Sequence, residues 1–192
     1  FDKRIKKKLP TISSLKKVNW KNVDILFTAL PNGETQILAK SLATKELNII
    51  DLSADFRLAN ASTYKKFYKK KHMAKDLIKK SIYALSEFVK IKIRNYKIIA
   101  CPGCYPTSIQ LPLIPILKKK IINTKNIIID SKSGYSGAGR GVHKKYADRN
   151  LYESLSAYGV GFHRHNSELQ QELNKYSKNN VKFTFTPHLS PM

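Results

Sequence analysis

Cys104 is the residue of this 192-residue chain best placed to do chemistry. It follows a short apolar strand and the turn Pro102-Gly103, and it stands where a helix should begin. Backbone N–H groups point outward at a helix N-terminus, and the helix dipole favours negative charge there. That setting suits a nucleophilic thiolate, and the same N–H groups can hold the oxyanion formed when sulfur attacks a carbonyl. A small buried hydrophobe is the other common fate of a cysteine, and local sequence leaves both readings open. Cys101 completes a Cys-x-x-Cys, which also permits a redox pair or half of a zinc site. Ala100 stands where a redox pair usually has an aromatic, and no second Cys pair completes a zinc site, so no metal is expected.

Three further clusters carry polar chemistry. His163-Arg164-His165 with Glu168 lies at a loop entering a helix, where His163 can act as general acid or base. Two surface histidines and a helix-capping Glu is the alternative. Ser133 to Gly141 holds four glycines in nine residues after a strand, so backbone can approach a ligand closely, and Arg140 can pair with phosphate. Its spacing is neither Walker nor Rossmann, so alone it reads only as a pliant loop. Asp51 to Arg57 follows a strand at the edge where open α/β sheets bind ligands. There Asp55 and Arg57 are expected to form an ion pair that shapes the loop.

The elements that must position these residues alternate. Val23 to Leu30 reads as a strand buried on both faces, Pro31-Asn32-Gly33 as a turn, and Glu34 to about Glu46 as a helix. Asn48 to Leu52 is a second strand, so the rhythm is βαβ with a parallel sheet. Tyr64, Phe67 and Tyr68 alternate with Lys and predict the inward stripe of an amphipathic helix. Tyr96 to Ala100 is a strand; Tyr105 to Leu117 is helical, kinked or shortened by Pro112 and Pro115. Asn126 to Asp130 is a strand leading into a loop from Ser131 to Gly141. Leu155 to Val160 reads as a strand, and Asn166 or Ser167 caps a helix carrying Leu169, Leu173 and Tyr176, Ser167 forming a capping box with Gln170. Val181 to Thr186 alternates as a half-exposed strand. There is no internal repeat, and the class is α/β.

Composition bounds the rest. With 42% hydrophobic and 26% charged residues the chain can bury a core. It carries 36 Lys and Arg against 13 Asp and Glu, a formal +23, which suits a polyanionic partner. However, the basic residues are 30 Lys and 6 Arg beside 20 Ile and 13 Asn, a bias that AT-rich coding alone produces. Few forked guanidinium groups remain to read bases, so a basic nucleic-acid-binding module, using Tyr64 to Lys80, is the rival from another class. Two cysteines exclude a disulfide scaffold. No apolar run approaches a membrane-spanning length of ~20 residues, so no membrane is expected. The sequence opens on Phe1, so the lack of a signal peptide carries no weight.

Taken together, Ala29 to Gly33, Asp51 to Leu58, Pro102 to Thr107, Asp130 to Arg140, His163 to Glu168 and Pro187 to Met192 resemble the N-acetyl-γ-glutamyl-phosphate reductases. These are NADPH-dependent enzymes of arginine biosynthesis in the semialdehyde dehydrogenase superfamily. The motifs occur in the family's order and span nearly the whole chain. The resemblance implies a partial Rossmann-type parallel-sheet domain over 1–103. Part of an α+β catalytic and dimerisation domain would follow over 104–192.

It also implies roles. Cys104 would be the nucleophile and His163 the acid/base, with His165 and Glu168 near the substrate. Ser136, Gly137, Ala138 and Gly139 would contact NADP(H), and Pro31, Asn32 and Gly33 would lie beside it. Arg140 or Arg57 would hold the phosphate of an acyl phosphate substrate. A cytoplasmic homo-oligomer, dimer or tetramer, is implied, and the chain would be an internal fragment. The chain departs from the pattern at Asn32, where His is usual, at Cys101, where Asn is usual, and at Ala84 and Ser86 in place of a Gly-Leu-Pro-Glu run. A related aspartate- or aminoadipate-semialdehyde dehydrogenase would use the same thiol chemistry.

Overall fold

The structure, a computed structural model, describes residues 11–89, 93–138 and 153–192. Four short strands form one all-parallel sheet: β1 (Ile25–Thr28), β2 (Asn48–Asp51), β3 (Ser81–Tyr83) and β4 (Ile98–Ala100), in the order β1-β2-β4-β3. Parallel neighbours need crossovers, and helix α1 (Glu34–Ser41) supplies the first. Thr35 and Ala39 on it and Leu42 just past its end are buried at helical spacing, and Ala39 and Leu42 join a core with Leu47, Ile49 and Ile98. The helix ends at Ser41, earlier than the pattern predicts, where the Ser41 hydroxyl donates to the Leu38 carbonyl at 2.8 Å and tight turns follow. β1 is likewise less buried than its apolar run suggests. Among the described residues it pairs only with β2, and Ile25 and Phe27 are 53% and 66% exposed.

Helix α2 (Ala61–Tyr68) starts at Asn60, whose side chain accepts from the Ser62 N–H at 2.8 Å, and stops at Lys69 in the left-handed region. Tyr64 is fully buried on it, stacked on Tyr68 and edge-on to His72. Its lysines take the outer face, as the alternation predicts. A one-turn helix, α3 (Lys75–Ile78), leads into β3.

The second half builds a separate core. Helix α4 (Cys104–Lys119) and helix α5 (His165–Asn174) pack on a sheet ordered β5-β7-β6. Its strands are β5 (Ile127–Gly134), β6 (Ser156–Ala157) and β7 (Phe183–Ser190), with β5 and β7 parallel and β6 antiparallel. Ile109, Ile114 and Leu117 from α4 meet Leu169 and Leu173 from α5 and Phe185 from β7.

Four expectations change here. Helix α4 runs 16 residues through Pro112 and Pro115, which both lie on its exposed face, where the carbonyls they leave unpaired reach water. β5 continues through Ser131–Gly134, because all eight of its residues pair with β7, so the loop is shorter than the glycines suggest. β6 is only two residues, since Gly159 and Gly161 adopt positive φ and turn the chain back. α5 starts at His165 rather than after Ser167, whose hydroxyl donates to the Arg164 carbonyl at 2.8 Å instead of capping. No helix among the described residues is long and apolar enough to cross a membrane.

Candidate active site

Three loops leave the C-terminal edge of the parallel sheet side by side: Leu30 to Gly33 after β1, Leu52 to Leu58 after β2, and Cys101 to Gly103 after β4. Cys104 is the first residue of α4, exposed, with its thiol free. A helix leaves its first N–H groups without an internal partner. Here the Gly103 N–H donates to the buried Glu168 carboxylate at 3.0 Å, and Pro106 has no N–H to offer. The N–H groups of Cys104 and Tyr105 remain for an incoming oxygen beside the sulfur. Cys101 differs. It is partly buried, and burial together with the Asp51 charge pushes its thiol pKa up. Its N–H donates to the Asp51 carbonyl at 2.8 Å, continuing the β2–β4 ladder.

Gly103 is required by space. A Cβ built there would lie 2.6 Å from His165 Nε2 and 2.9 Å from an Arg57 guanidinium nitrogen. Arg57, also buried, donates from Nε to the Cys101 carbonyl at 2.7 Å and from a terminal nitrogen to the Leu52 carbonyl at 2.9 Å. Its other terminal nitrogen lies 3.6 Å from Glu168. Burial raises the Glu168 pKa to about 7, against the opposing pull of Arg57 and the Gly103 N–H. The expected Asp55–Arg57 pair is therefore not what the loop uses: Arg57 turns to the nucleophile turn and Asp55 to the other side.

His163 sits in a box of rings. Tyr105, Tyr158, His165 and Phe185 all meet it edge-on, with centroids 4.8 to 5.8 Å away. Desolvation, helped by Arg164, lowers its pKa to about 4, and His165 is held lower, to about 2, by burial and then by His163 and Arg57. Both imidazoles are neutral at physiological pH. The His165 backbone N–H donates to His163 Nδ1 at 3.2 Å, so the proton of the neutral ring sits on Nε2. His165 Nδ1 is buried with no hydrogen-bond partner among the described residues.

Tyr158 and Tyr105 were not legible as site residues. The Tyr158 hydroxyl donates to that of Tyr105 at 3.2 Å, which donates to the His188 carbonyl at 3.0 Å. Both rings meet the His163 imidazole edge-on. Tyr105 follows Cys104 directly, but Tyr158 reaches the site through the two positive-φ glycines that fold Gly159 to Phe162 back.

Gly33 has φ +99°, and a Cβ there would meet nothing within 4 Å, so the turn faces open space. Pro31 and Asn32 flank it, and the Asn32 carbonyl accepts from Lys70 Nζ at 3.0 Å. A turn open at this point lets a ligand approach the backbone at the edge where parallel sheets bind ligands. Ser136 and Gly137 are exposed in a short 3₁₀ turn, Tyr135–Ala138, at the end of β5, and a Cβ on Gly137 would lie 2.3 Å from Ser133 Oγ. Gly139 and Arg140 lie outside the described residues. The structure thus gathers Cys104, His163, His165, Glu168 and Arg57 around one turn. Pro31 to Gly33 form a second turn beside it.

A parallel sheet with a cysteine-bearing turn at its C-terminal edge is followed by a mixed sheet, with His163 and His165 at the start of the helix packed on it. The sequence profile of the semialdehyde dehydrogenase NAD binding domain matches residues 2–96, and that of the semialdehyde dehydrogenase dimerisation domain matches 104–192. The chain belongs to the semialdehyde dehydrogenase family. Within it, the chain is 47% identical over 185 residues to "Probable N-acetyl-gamma-glutamyl-phosphate reductase, chloroplastic" of Arabidopsis thaliana, covering 96% of this chain and 46% of the relative. It is 45% identical over 188 residues to the N-acetyl-gamma-glutamyl-phosphate reductase of Afipia carboxidovorans, covering 96% of this chain and 53% of the relative. The chain spans about half the length of these relatives. Among solved structures, aspartate semialdehyde dehydrogenase II from Vibrio cholerae shares the fold, with TM-score 0.60, 17% identity and 94% of this chain covered against 55% of that chain.

Proposed function

We propose that the protein reduces N-acetyl-glutamyl 5-phosphate to N-acetyl-glutamate 5-semialdehyde and phosphate through a thioester on Cys104, with NADPH as reductant. The observation that carries this reading is the exposed thiol at the first position of α4, followed directly by Tyr105, whose ring meets the His163 imidazole edge-on. Relatives named for that reaction support the substrate. On this reading residues 1–103 serve the cofactor, with Pro31, Asn32, Gly33 and Ser136 to Gly139 around it. Residues 104–192 carry catalysis and a homo-oligomer contact. The compartment is the cytoplasm, or a plastid as the Arabidopsis relative's name has it.

In the first step Cys104 Sγ bonds to the acyl carbon, and the C–O bond to phosphate breaks with its electron pair, releasing inorganic phosphate. The N–H groups of Cys104 and Tyr105 donate to the carbonyl oxygen while it carries charge. The nicotinamide cofactor supplies the hydride that reduces the thioester carbonyl. His163 donates its Nε2–H to the resulting oxyanion. At a pKa of about 4 it acts as a neutral hydrogen-bond donor rather than as a proton carrier. The C–S bond then breaks, the aldehyde forms and the thiolate returns, so no net proton moves through the ring. His165, buried beside Gly103 and His163, would pack behind the substrate's site.

The test is Cys104→Ser in the full chain, meaning the full-length protein to which these 192 residues belong, since the 192 residues by themselves are expected to be inactive. Phosphate-dependent NADP⁺ reduction with the semialdehyde should fall by at least ~10³-fold, and activity near that of the unmodified protein would overturn the reading. A panel of aspartyl, aminoadipyl and N-acetyl-glutamyl substrates fixes the specificity.

A further inference from the structure

The loop after β2 lies between the two turns of the site, because β2 lies between β1 and β4 in the sheet. Two of its side chains, two residues apart, reach in opposite directions. Asp55 is 1% exposed, and among the described residues neutral donors surround its carboxylate. The Gly33 N–H donates to both carboxylate oxygens at 2.8 and 2.9 Å, Gln36 donates from its backbone at 3.3 Å and its amide at 3.0 Å, and the Tyr64 hydroxyl donates at 2.7 Å. Its own carbonyl meets His72 Nε2 at 2.8 Å. All the carboxylate's bonds thus go to the first turn of α1 or to the tyrosine of α2. Arg57 turns the other way: its guanidinium donates to the Cys101 carbonyl of the other turn and to the Leu52 carbonyl of its own loop, and it faces Glu168, which accepts from the Gly103 N–H. Phe56 between them is buried in the core, which fixes the loop from below.

We infer that Asp55 and Arg57 are positioning residues that set the two halves of the site separately: Asp55 holds the cofactor turn through Gly33, and Arg57 holds the nucleophile turn through the Cys101 carbonyl. This rests on the proposed function, since it assigns the cofactor to the first turn and acylation to the second. The physical ground is that a buried carboxylate bonded to several donors fixes their directions tightly. A left-handed glycine turn with nothing packed on its Cα has no other restraint of comparable strength. Reacting groups displaced by about 1 Å lose ~100-fold in rate, so a loop that fixes each turn is where such errors are prevented.

The two half-reactions can be read apart in the full chain. NADPH binding is measured by nicotinamide fluorescence without substrate, and acylation by the burst of inorganic phosphate from N-acetyl-glutamyl phosphate without cofactor. Asp55→Asn should weaken NADPH binding about tenfold and leave the burst within about twofold. Arg57→Lys should slow the burst about tenfold and leave NADPH affinity within about twofold. Tyr64→Phe keeps the buried ring and removes one bond to Asp55; it should shift NADPH affinity alone, by less than Asp55→Asn, and decides the matter if Asp55→Asn does not fold. If the unmodified protein neither binds NADPH nor releases phosphate, the functional reading fails. If it does both, but Tyr64→Phe or Asp55→Asn alters the burst as much as the affinity, or Arg57→Lys alters affinity, the inference is overturned.

Discussion

Gly33 and Gly103 occupy the same place in two strand-to-helix turns, and each donates its N–H to a buried carboxylate from elsewhere, Asp55 or Glu168. Their reasons for being glycine differ. Gly33 needs a backbone conformation, φ +99°, and has empty space where a side chain would go. Gly103 has φ −68°, which any residue adopts, and needs room, because His165 and Arg57 press against its Cα. On the proposed reading, the open turn serves a ligand and the packed turn holds a sulfur still, so that one motif of strand, glycine and helix serves binding or catalysis according to what lies against it.

The sharpest way to break this comparison is Gly103→Ala. The new methyl must displace His165 or Arg57, so the phosphate burst should fall by ~100-fold while NADPH binding stays intact. An unaltered burst would show that the packing against Gly103 does not position the thiol. Gly33→Ala meets no atom and carries only backbone strain, roughly 1–2 kcal/mol. It should weaken NADPH binding by less than Gly103→Ala slows acylation, with the burst preserved. Loss of acylation in this variant would mean the two turns are not independent.

Smaller effects come from titration. Glu168 has its folded pKa raised to about 7, above its ordinary value near 4.5, so between those values the folded state binds more protons than the unfolded one. Its contribution to stability is therefore present at low pH and lost as pH rises through about 7. Glu168→Gln removes that loss, and the melting temperature of the variant relative to the unmodified protein should be higher at about pH 8 than at about pH 5. A difference of the opposite sign would place the carboxylate pKa below its ordinary value. His163 runs the other way: with its pKa lowered to about 4, its contribution is present above 6.5 and lost as pH falls toward 4. In the same titration the thioester-reduction step should show no inflection near pH 6.5 from this ring. A limb there would make it a proton carrier.

Much of the fold was legible where the cause is local. The run Ile49–Ile50, the run Ile98–Ile99 and the inward stripe of Tyr64 follow from spacing, as does the Cys104 turn with its Pro-Gly approach. What escaped the sequence depends on partners far along the chain. Gly33 and Asp55 are 22 residues apart, and Gly103 and Glu168 are 65 apart. No local pattern states that Asp55 looks toward one turn and Arg57 toward the other. The apolar residues of β1 were read as buried because composition does not reveal which neighbours a strand pairs with. Pro112 and Pro115 do not shorten α4, because they fall on its exposed face, which exists only once the helix is packed.

The central claim is a covalent one and is read most directly by mass. The full chain is mixed with N-acetyl-glutamyl phosphate in the absence of NADPH, quenched and analysed intact and after digestion. The account predicts one N-acetyl-glutamyl adduct per chain, on the peptide holding Cys104, removed by hydroxylamine and absent in Cys104→Ser. An unmodified mass beside measurable phosphate release, or an adduct on Cys101, would contradict it.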